Sequence, residues 1–488
     1  MARLIKKFFW ALESKLARYK YPLNESLPYI GVTGTDGKTT TCSFLYEIAK
    51  EYGYKPLLIT TVGTKFEDKF IELDIKSSSF FAYSIKSFIK NLKLLNFVKS
   101  IKALLFIDKE GYKNEKEKHR TTPLASEIRK LILEHEEKGA NLFIIECTSH
   151  ALDQYRVAGI KFDSVGYTNI TNEHLDYHGT WENYALAKSK LIDLLKEKGS
   201  VSINYDDRKS YKFLKQKIDN LGNAVKFFEY KAENLEKINQ EKFIIELVEK
   251  ENKTEIIAKS INKVKEGKSQ YQTSIRIFGK YNIYNALAAF AIFTGFNNTN
   301  PDASARGISN LKDIKGRMQV MNEKPRIIID FAHTPNAMEK ALKSISTKGK
   351  KWVIFGCAGE RDRYKRPIMG KIAFENADNI LITSEDPRSE SLFEINNQII
   401  SGFKEIEESF TIQTFYEGLP YNPENKFIIR FDEPNKNSRI NAINYAIKNA
   451  DKEDTVIILG KGHETSMNYG GIEYDWSDED VVKEALKK

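Results

Sequence analysis

Cysteine is scarce in this sequence. Only three occur among 488 residues, at Cys42, Cys147 and Cys357, and no two of them form a CxxC pair. Their number and spacing exclude a disulfide framework and a zinc knuckle, and we expect a reducing, cytoplasmic setting. No run of about 18 uncharged apolar residues exists, which predicts that no helix spans a membrane. Internal repeats and low-complexity linkers are also absent, so the length predicts two or three ordinary globular domains.

A strong excess of charge of one sign is absent as well. The formal net charge of +9 is modest for 488 residues, and lysine and glutamate are interleaved through most of the chain. Such a surface attracts phosphate-bearing substrates without requiring a nucleic acid. No stripe of arginine and aromatic residues is concentrated anywhere, which disfavours a basic ATPase acting on nucleic acid.

The N-terminal segment, residues 1–28, carries apolar residues among lysines and arginines at helical spacing over its first 20 positions. Its apolar stretch is too short and too interrupted for a signal peptide. We therefore predict a basic amphipathic helix that packs on the protein's own body. Weak contact with a membrane surface is the alternative.

Residues 29–41 carry the clearest chemical signal. An apolar lead-in predicts the end of a buried strand, a glycine-rich turn follows, and the next residues are compatible with a helix. This arrangement surrounds an anion with backbone N–H groups and a helix N-terminus. Lys38 is placed to reach the outer phosphates of a nucleotide, and Thr39 or Thr40 to offer a hydroxyl to Mg²⁺. Val32 departs from the strict P-loop pattern, which has its first glycine there. The predicted ATP-binding residues of the loop are Gly34, Thr35, Asp36, Gly37, Lys38, Thr39 and Thr40.

Apolar strand-like runs that end in polar residues recur along the chain and alternate with helical patterns. This alternation predicts parallel sheets, which bind ligands beyond the carboxyl ends of their strands. We predict an α/β fold: a P-loop central domain with a mostly parallel sheet, and a C-terminal Rossmann-like α/β domain, with a cleft between them. The predicted divisions are a short helical segment 1–28, a central domain 29–313 with an insertion at 66–120, and a C-terminal domain 314–488.

Five of the seven histidines lie in or beside these strand-end segments, at His150, His174, His178, His333 and His463. Glu146 directly follows a buried strand of the sheet that carries the phosphate loop, which places its carboxylate to hold Mg²⁺ directly or through water. His174 and His178 are four residues apart, but the H-E-x-x-H order of zinc proteases is absent. We therefore predict His174 as a single ligand.

Together these motifs resemble the Mur ligase family. The matching segments are 31–41, 121–123, 146–152, 169–179 with the helix carrying Lys188, and the later asparagine, histidine and Gly-Lys-Gly-His-Glu segments. The resemblance runs in order over roughly residues 29–475. It implies an ATP-dependent amide ligase of peptidoglycan precursor synthesis, and thus a role in cell-wall formation, cell shape and division. The most similar members add the third residue, meso-diaminopimelate or L-lysine, to UDP-N-acetylmuramoyl-L-alanyl-D-glutamate.

The resemblance also implies roles for individual residues. It assigns catalysis to Lys38, Glu146, His174 and Lys188. It implies two Mg²⁺ ions, held by Thr39, Glu146, His174 and a carbamylated Lys188. Carbamylation fits Mg²⁺ because it replaces a cation with an oxygen ligand, and it requires a lysine whose charge is disfavoured. Contacts to the base, ribose and phosphates of ATP are implied for Asn282, Asn285, Arg317, Asp330 and His333. Acceptor-binding residues are implied at Thr60, Thr61, Thr121, Thr122, Ser149 and Arg156.

The incoming amino acid is implied to meet Arg361, Glu385, Asp386, Arg388, Gly460 and Glu464. Diaminopimelate-adding members carry Asp-Asn-Pro-Arg where this chain has residues 385–388. Arg388 favours diaminopimelate, since its fork of donors suits the distal carboxylate. Asp386 replaces the asparagine and would instead attract a lysine ammonium. We favour diaminopimelate over lysine.

Family members usually have a whole domain that binds the uridine nucleotide before the phosphate loop, where this sequence has residues 1–28. Either the insertion at 66–120 substitutes for that domain or the acceptor is different, such as a pseudomurein precursor, a polyglutamate or a folate. A further alternative is a nucleotide-binding scaffold without catalysis, which the intact Lys38, Glu146, His174 and Lys188 disfavour. We expect a monomer whose substrates are a nucleotide-sugar peptide and an amino acid.

Overall fold

The computed structural model describes residues 2–61, 63–71, 123–250, 253–260, 269–406, 411–422 and 426–487. Most of the predicted insertion at 66–120 lies outside the described residues, as do Thr121 and Thr122. Within the described part, each helix is too short or too polar to cross a membrane.

The first sheet is built around the phosphate-loop strand. Its strands are β1 (Tyr29–Thr33), β2 (Pro56–Ile59), β3 (Thr64–Phe66), β4 (Lys69–Ile71), β5 (Leu142–Glu146), β6 (Phe162–Tyr167), β7 (Leu195–Asn204), β8 (Lys226–Ala232), β9 (Phe243–Lys250), β10 (Lys253–Ser260) and β11 (Gln270–Thr273). They lie in the order β11-β9-β10-β8-β7-β6-β1-β5-β2-β3-β4. The central run from β10 to β2 is parallel, and antiparallel strands extend it at both ends. The carboxyl ends of the parallel strands therefore meet at one edge.

Both faces of this sheet are buried, which explains its nearly continuous apolar strands. In β5, Leu142 and Ile144 join the apolar cluster on one face, while Phe143 and Ile145 join the cluster on the other. The helices of this part of the chain are α1 (Ala2–Lys20), α2 (Lys38–Glu51), α3 (Ala125–Glu136), α4 (Ser149–Asp153), α5 (Leu175–His178), α6 (Trp181–Ser189), α7 (Arg208–Asp219), α8 (Asn282–Phe296) and α9 (Pro301–Asn310). Short 3₁₀ turns occur at Ile192–Leu194, Gly222–Ala224 and Leu235–Lys237.

Helix α1 packs on the protein's own body, as its sequence predicts. Its Glu13 accepts a hydrogen bond from the backbone N–H of Ser126 at 3.1 Å, at the start of α3. Arg129 of α3 donates to the carbonyl of Tyr21 at 3.0 Å, and Ala17 is buried between them. These contacts fix the helix against the first sheet's own layer of helices.

The second sheet has strands β12 (Gln319–Glu323), β13 (Arg326–Asp330), β14 (Lys351–Phe355), β15 (Asn379–Ile382), β16 (Ile412–Thr414), β17 (Phe427–Arg430) and β18 (Thr455–Leu459). Their order is β12-β13-β18-β14-β15-β17-β16, parallel from β13 to β16. A hairpin, β19 (Ser466–Tyr469) and β20 (Ile472–Asp475), follows. The helices here are α10 (Pro335–Ser344), α11 (Lys365–Asn376), α12 (Leu392–Ser401), α13 (Asn437–Asn449) and α14 (Asp478–Ala485), with a 3₁₀ turn at Phe403–Glu405. The predicted fold class is confirmed: a large, mostly parallel sheet and a second α/β sheet.

A buried ion pair holds two strand ends of the second sheet in place. Arg439 on α13 and Asp478 on α14 are fully buried and 2.7 Å apart. The same guanidinium donates to the carbonyls of Ser384, which follows β15, and Leu459, which ends β18, at 3.3 and 2.9 Å. The loops that carry residues 385–388 and 460–464 therefore start from a fixed base.

Candidate active site

The phosphate loop connects the end of β1 to the first turn of α2. Its backbone is fixed by Asn169, whose carbonyl accepts from Thr35 N at 2.8 Å and whose side chain accepts from Asp36 N at 3.0 Å. Lys38 donates from Nζ to the carbonyl of Thr35 at 2.6 Å, which keeps its ammonium against the loop. The helix N-terminus and the ammonium together form a site for an anion.

Gly37 cannot be replaced without disturbing this loop. Its φ of 82° lies in the left-handed region, and a Cβ there would lie 2.1 Å from Oδ1 of Asn285. We expect Gly37→Ala to raise the KM for ATP by about tenfold, because strain of about 1–3 kcal/mol is relieved only by displacing the loop. Steady-state kinetics with varied ATP measures this. Gly53→Ala is the matched control, since Gly53 has a φ of 80° but open space around it. An equal rise in KM for both variants would contradict the prediction.

Glu146 ends β5, directly beside β1, where it is opposite Val32 in the register. Its carboxylate accepts a hydrogen bond from Thr39 Oγ1 at 2.8 Å and from the backbone N–H of Thr61 at 3.3 Å. A hydroxyl and a carboxylate next to a phosphate loop are the hard oxygen donors that Mg²⁺ prefers. The described residues contain no group of three His, Cys, Asp or Glu side chains at metal-binding spacing. Mg²⁺ usually retains several waters, so the oxygens of Thr39 and Glu146 are compatible with its coordination.

Lys188, on α6, is buried beneath the phosphate loop, with 1% of its surface exposed. Its Nζ donates to the carbonyl of Gly34 at 2.5 Å and lies 4.5 Å from the centre of the Tyr184 ring. Burial, together with the nearby Lys38 ammonium, lowers the pKa of Lys188 well below its usual value. Burial thus disfavours the charged form of this side chain.

Two contacts join the two sheets across the site. Asn336 on α10 donates to the carboxylate of Asp36 at 2.6 Å. His333, which follows β13, places Nε2 3.6 Å from the carboxylate of Glu173. Burial opposes the charge of Glu173, but His174 and His333 lower the pKa of this carboxyl below its usual value. Glu173 was not predicted from the sequence, although its position next to His174 was the available signal.

A histidine cluster lies beside the phosphate loop. The ring of His150 is 4.9 Å from that of His174 and 5.6 Å from that of His178. Burial, together with these two rings, lowers the pKa of His150 to about 3. His178 contacts the hydroxyl of Ser149 at 3.1 Å through Nε2. The cluster thus adjoins Ser149, a residue predicted to bind the acceptor.

A cavity of about 390 Å³ opens between the two sheets. The predicted residues that line it are Thr35, Asp36, Gly37, Lys38, Thr39, Thr40, Thr61, Glu146, Ser149, His174, Lys188, Asn282, Asn285, Arg317, Asp330 and His333. Lining residues that the sequence reasoning missed include Asn169, Glu173, Tyr184, Asp206, Tyr281, Phe331 and Lys340. Most of these residues lie in the same segments as the predicted site residues. Their proximity in sequence to those residues was the signal that could have identified them.

Other predicted residues lie outside the cavity lining. Gly34 contributes its carbonyl to Lys188. Thr60 begins the loop after β2, and its hydroxyl donates to the carbonyl of Gly63 at 3.0 Å. Arg156 donates through Nε to Gln154 at 3.0 Å. The predicted contacts of these three residues with substrate stay predictions.

The end of the cavity near α8 presents groups suited to a nucleoside. Asn285 donates to the side chain of Asn282 at 2.8 Å. The guanidinium of Arg317 lies 4.5 Å from the centre of the Phe331 ring. Asp330 accepts hydrogen bonds from the N–H groups of residues 318 and 332 at 2.8 and 2.9 Å. Amides, an aromatic face and a fixed carboxylate are thereby brought together at one end of the cavity.

The predicted amino-acid-binding residues gather at the carboxyl ends of β15 and β18. Lys461, which is fully buried, donates to Asp386 at 3.0 Å and pairs with Glu464 at 2.5 Å. Burial opposes its charge, but Glu464 and Asp386 raise the pKa of Lys461 above its usual value. A Cβ on Gly460 would lie 2.6 Å from Glu385, so only glycine leaves that carboxylate room.

Glu385 and the two arginines complete this group. The Oε2 atom of Glu385 is buried without a hydrogen-bond partner among the described residues, and burial raises the pKa of this carboxyl. Arg388 has a φ of 55°, and its backbone is held by Asn468, whose carbonyl accepts from Arg388 N at 3.1 Å. Arg361 is exposed, and its charge contributes to the lowered pKa of His150 across the cleft.

Comparison with known proteins matches both halves of the chain to one family. The profile of the Mur ligase middle domain matches residues 32–293, and that of the Mur ligase glutamate ligase domain matches residues 316–462. The middle-domain match alone covers more than half of the 488 residues.

Individual relatives extend this likeness over nearly the whole chain. The UDP-N-acetylmuramoyl-L-alanyl-D-glutamate–2,6-diaminopimelate ligase of Aquifex aeolicus is 31% identical over 468 residues, covering 95% of this chain and 78% of the relative. A solved structure of a ligase with the same name superposes with a TM-score of 0.52 at 23% identity, covering 97% of this chain and 81% of the other. A bifunctional folylpolyglutamate synthase/dihydrofolate synthase with Mn, AMPPNP and L-glutamate bound gives a TM-score of 0.59 at 16% identity, covering 92% and 91%. At these identities the two structures show a shared fold.

Proposed function

Because the chain belongs to the Mur ligase family, we propose that it adds meso-diaminopimelate to UDP-N-acetylmuramoyl-L-alanyl-D-glutamate while ATP is converted to ADP and phosphate. It is an ATP-dependent, ADP-forming amide ligase of peptidoglycan synthesis. The observation that carries the proposal is the shared cavity. It places Lys38, Glu146 and His174 of the first sheet opposite Arg317 and His333 of the second.

The reaction has two steps. The acceptor carboxylate attacks the γ-phosphorus of ATP, ADP leaves, and an acyl phosphate forms. The amine of the amino acid then attacks the acyl carbon, the C–O bond to phosphate breaks, and the amine's proton is lost. The loop N–H groups and Lys38 bind the phosphates and stabilise the charge that spreads over the transferred group. Bound Mg²⁺ would supply further charge neutralisation, and Thr39 and Glu146 are the residues that would hold it.

Water must be excluded while the acyl phosphate exists, since it would otherwise be hydrolysed. Two contacts link the second sheet to the segments around the phosphate loop: the hydrogen bond from Asn336 to Asp36, and the contact between Glu173 and His333. The first contact is a partly buried hydrogen bond of 2.6 Å, and the second is a half-buried approach of 3.6 Å. They support a closed arrangement in which the two sheets shield the reacting atoms.

The proposal includes a carbamate on Lys188. A neutral amine reacts with CO₂ by forming an N–C bond and losing a proton, so a lysine kept neutral by burial is the suitable precursor. Glu173, Asp36 and Glu146 oppose part of the lowering of the pKa of Lys188, but burial and the Lys38 ammonium outweigh them. We further propose that Lys188 in this form and His174 would help to hold a second Mg²⁺.

The charged residues grouped with Arg388 support diaminopimelate over lysine. Asp386 replaces the expected asparagine, but it is already paired with buried Lys461, which lies 3.0 Å away and also pairs with Glu464. An acid that is paired internally does not offer its charge to a substrate ammonium. Glu385 remains as a buried carboxylate with one oxygen available, and Arg388 supplies a guanidinium at the neighbouring position. The carboxylate of Glu385 suits the amine of diaminopimelate, and the guanidinium of Arg388 suits its distal carboxylate.

Variants at these two positions test the amino-acid assignment. We expect Arg388→Ala to lower kcat/KM for diaminopimelate by about 100-fold, because a charge-assisted, bidentate contact is worth about 1.5–3 kcal/mol. Asp386→Asn should keep the preference for diaminopimelate over lysine within about twofold, since the acid is already paired with Lys461. Competition between the two amino acids measures both. If wild type used lysine much more efficiently than the Asp386→Asn variant does, the assignment would be contradicted.

The experiment that tests the function is phosphate release from ATP with the UDP-MurNAc-dipeptide and either diaminopimelate or lysine. Release that requires the dipeptide and diaminopimelate, together with formation of the tripeptide by mass spectrometry, is the expected result. Release with neither amino acid would overturn the diaminopimelate-ligase assignment. ATP binding without any release would favour a non-catalytic scaffold instead.

We also propose that the chain acts as a monomer in a reducing, cytoplasmic compartment. All three cysteines are free and buried, which suits such a setting. The proposed divisions remain 1–28, 29–313 and 314–488. The second boundary falls between β11, which belongs to the first sheet, and β12, which belongs to the second.

A further inference from the structure

Asp153, the last residue of α4, is a buried junction of three segments. Its carboxylate accepts hydrogen bonds from Lys7 of α1 at 2.9 Å and from Lys190, just after α6, at 2.7 Å. The hydroxyl of Tyr177 on α5 donates to it at 3.1 Å. Only 4% of Asp153 is exposed, so these partners replace most of its water.

The same segments carry the residues proposed to bind the acceptor and metal. Lys190 lies two positions after Lys188, and Tyr177 three positions after His174. The ring of Tyr177 lies 4.2 Å from that of His150 and 4.7 Å from that of His178, measured between ring centres. His178 in turn contacts the hydroxyl of Ser149, which lines the cavity. A chain of direct contacts thus leads from Asp153 to the cavity wall.

The second cation at this junction needs an explanation. A single lysine balances one buried carboxylate, and Lys190 already does so at the shorter distance. Burial opposes ionisation of Asp153, yet Lys190 and Lys7 together lower the pKa of this carboxyl to about 2. What Lys7 adds is the attachment of α1, whose far end is fixed on α3 by Glu13.

We propose that α1 is a positioning element of the acceptor end of the active site, acting through the Lys7–Asp153–Tyr177 contacts. This inference depends on the proposed function, since it assigns the acceptor to the wall formed by Ser149. Lys7 and Asp153 are positioning residues that touch no reacting atom. Asp153 restrains the Tyr177 ring, and Tyr177 restrains the histidine cluster against Ser149.

Loss of the Lys7–Asp153 contact is expected to weaken binding of the acceptor and to leave binding of ATP unchanged. The phosphate loop is held by separate contacts, from Asn169 to Thr35 and Asp36, and from Gly34 to Lys188. None of these involves α1 or Asp153. A loss of the Lys7 contact therefore loosens the Tyr177 segment while the ATP-binding loop keeps its geometry.

The test compares Lys7→Met, Lys7→Arg and, as a matched control on an exposed face of the same helix, Lys15→Met. We expect Lys7→Met to raise the KM for the UDP-MurNAc-dipeptide by about tenfold, with the KM for ATP within about twofold of wild type. Lys7→Arg should restore most of the loss because it keeps a cation at the same reach. Lys15→Met should match wild type. A dipeptide KM unchanged in Lys7→Met, or a rise in both KM values together with a lower melting temperature, would overturn the proposal.

Hydrogen exchange separates this inference from the proposed function. Residues 174–178 should exchange faster in Lys7→Met than in Lys15→Met, with the exchange of residues 34–41 unchanged. This holds even if wild type proves to use another acceptor, in which case phosphate release fails but the exchange difference persists. Equal exchange in both variants would overturn the inference while leaving the ligase assignment intact. A Lys7→Met and Tyr177→Phe double variant should lose less than the sum of the two single losses, because both act through Asp153.

Discussion

Replacing Lys38 with alanine is expected to lower ATP-dependent phosphate release by about 10³-fold, the scale of losing a group that stabilises transition-state charge. The ammonium of Lys38 lies against the phosphate loop, where it donates to the carbonyl of Thr35. It stands beside the N–H groups that surround the phosphates and is the loop's one cationic side chain. The charge that spreads over the transferred phosphoryl group would therefore lose its nearest positive partner. Steady-state release of phosphate with all three substrates measures the loss.

The fold should survive this substitution, because Lys38 is only half-buried and its side-chain hydrogen bond goes to a backbone carbonyl. Circular dichroism and the melting temperature check that. Lys50→Ala is the matched control: Lys50 lies on the same helix, but its ammonium pairs with Asp68 at the other end. Its activity should stay within about twofold of wild type, since exposed ion pairs contribute little. A Lys38→Ala enzyme with more than a tenth of wild-type activity would refute the assigned role.

Lys188→Ala is expected to reduce activity by about 10³-fold as well, by removing a group that acts where charge develops. If the carbamate forms, added bicarbonate should raise the activity of CO₂-depleted wild type and leave the variant unchanged. Intact-mass measurement under gentle conditions should show one added CO₂ on wild type and none on Lys188→Ala. Burial lowers the pKa of Lys188 and so favours the neutral amine that this reaction requires.

Lys161→Ala serves as the control for lysine modification, because Lys161 is exposed and lies away from the cavity lining. It should retain both the bicarbonate response and the added mass. Full activity of Lys188→Ala would exclude any role for this side chain in catalysis. Loss of activity without a bicarbonate response in wild type would leave the lysine essential but uncarbamylated, and so would contradict the carbamate.

Local signals identified the phosphate loop correctly as a strand, a turn and a helix N-terminus. Residues 29–41 contain everything that this conformation needs: apolar side chains for a buried strand, Gly37 for the left-handed turn, and threonines that tolerate a helix start. The departure at Val32 did not matter for the fold, since its side chain is buried in the core on one face of β1. Alternation of strands and helices likewise predicted the two sheets.

Contacts between segments that are distant in sequence could not be predicted from these local signals. Glu173 gains its role from His333, which lies far along the chain on the other sheet. Asp386 left lysine open as the alternative, since an acid there would attract its ammonium, but Lys461 pairs with this acid, and the pairing exists only because β15 and β18 end at the same edge. The junction at Asp153 depends on α1 packing against α3.

The sequence by itself determined the chemistry of each strand end and the fold class, because apolar periodicity and turn residues act over a few positions. Tertiary structure decided which charges are paired and which remain available to a substrate. The physical reason is that a carboxylate's usefulness depends on its neighbours and its access to water, and both are set when distant strand ends are brought together. The carboxylates of Asp386 and Glu385 thereby differ: one is paired with a buried lysine, and the other has an oxygen without a hydrogen-bond partner among the described residues.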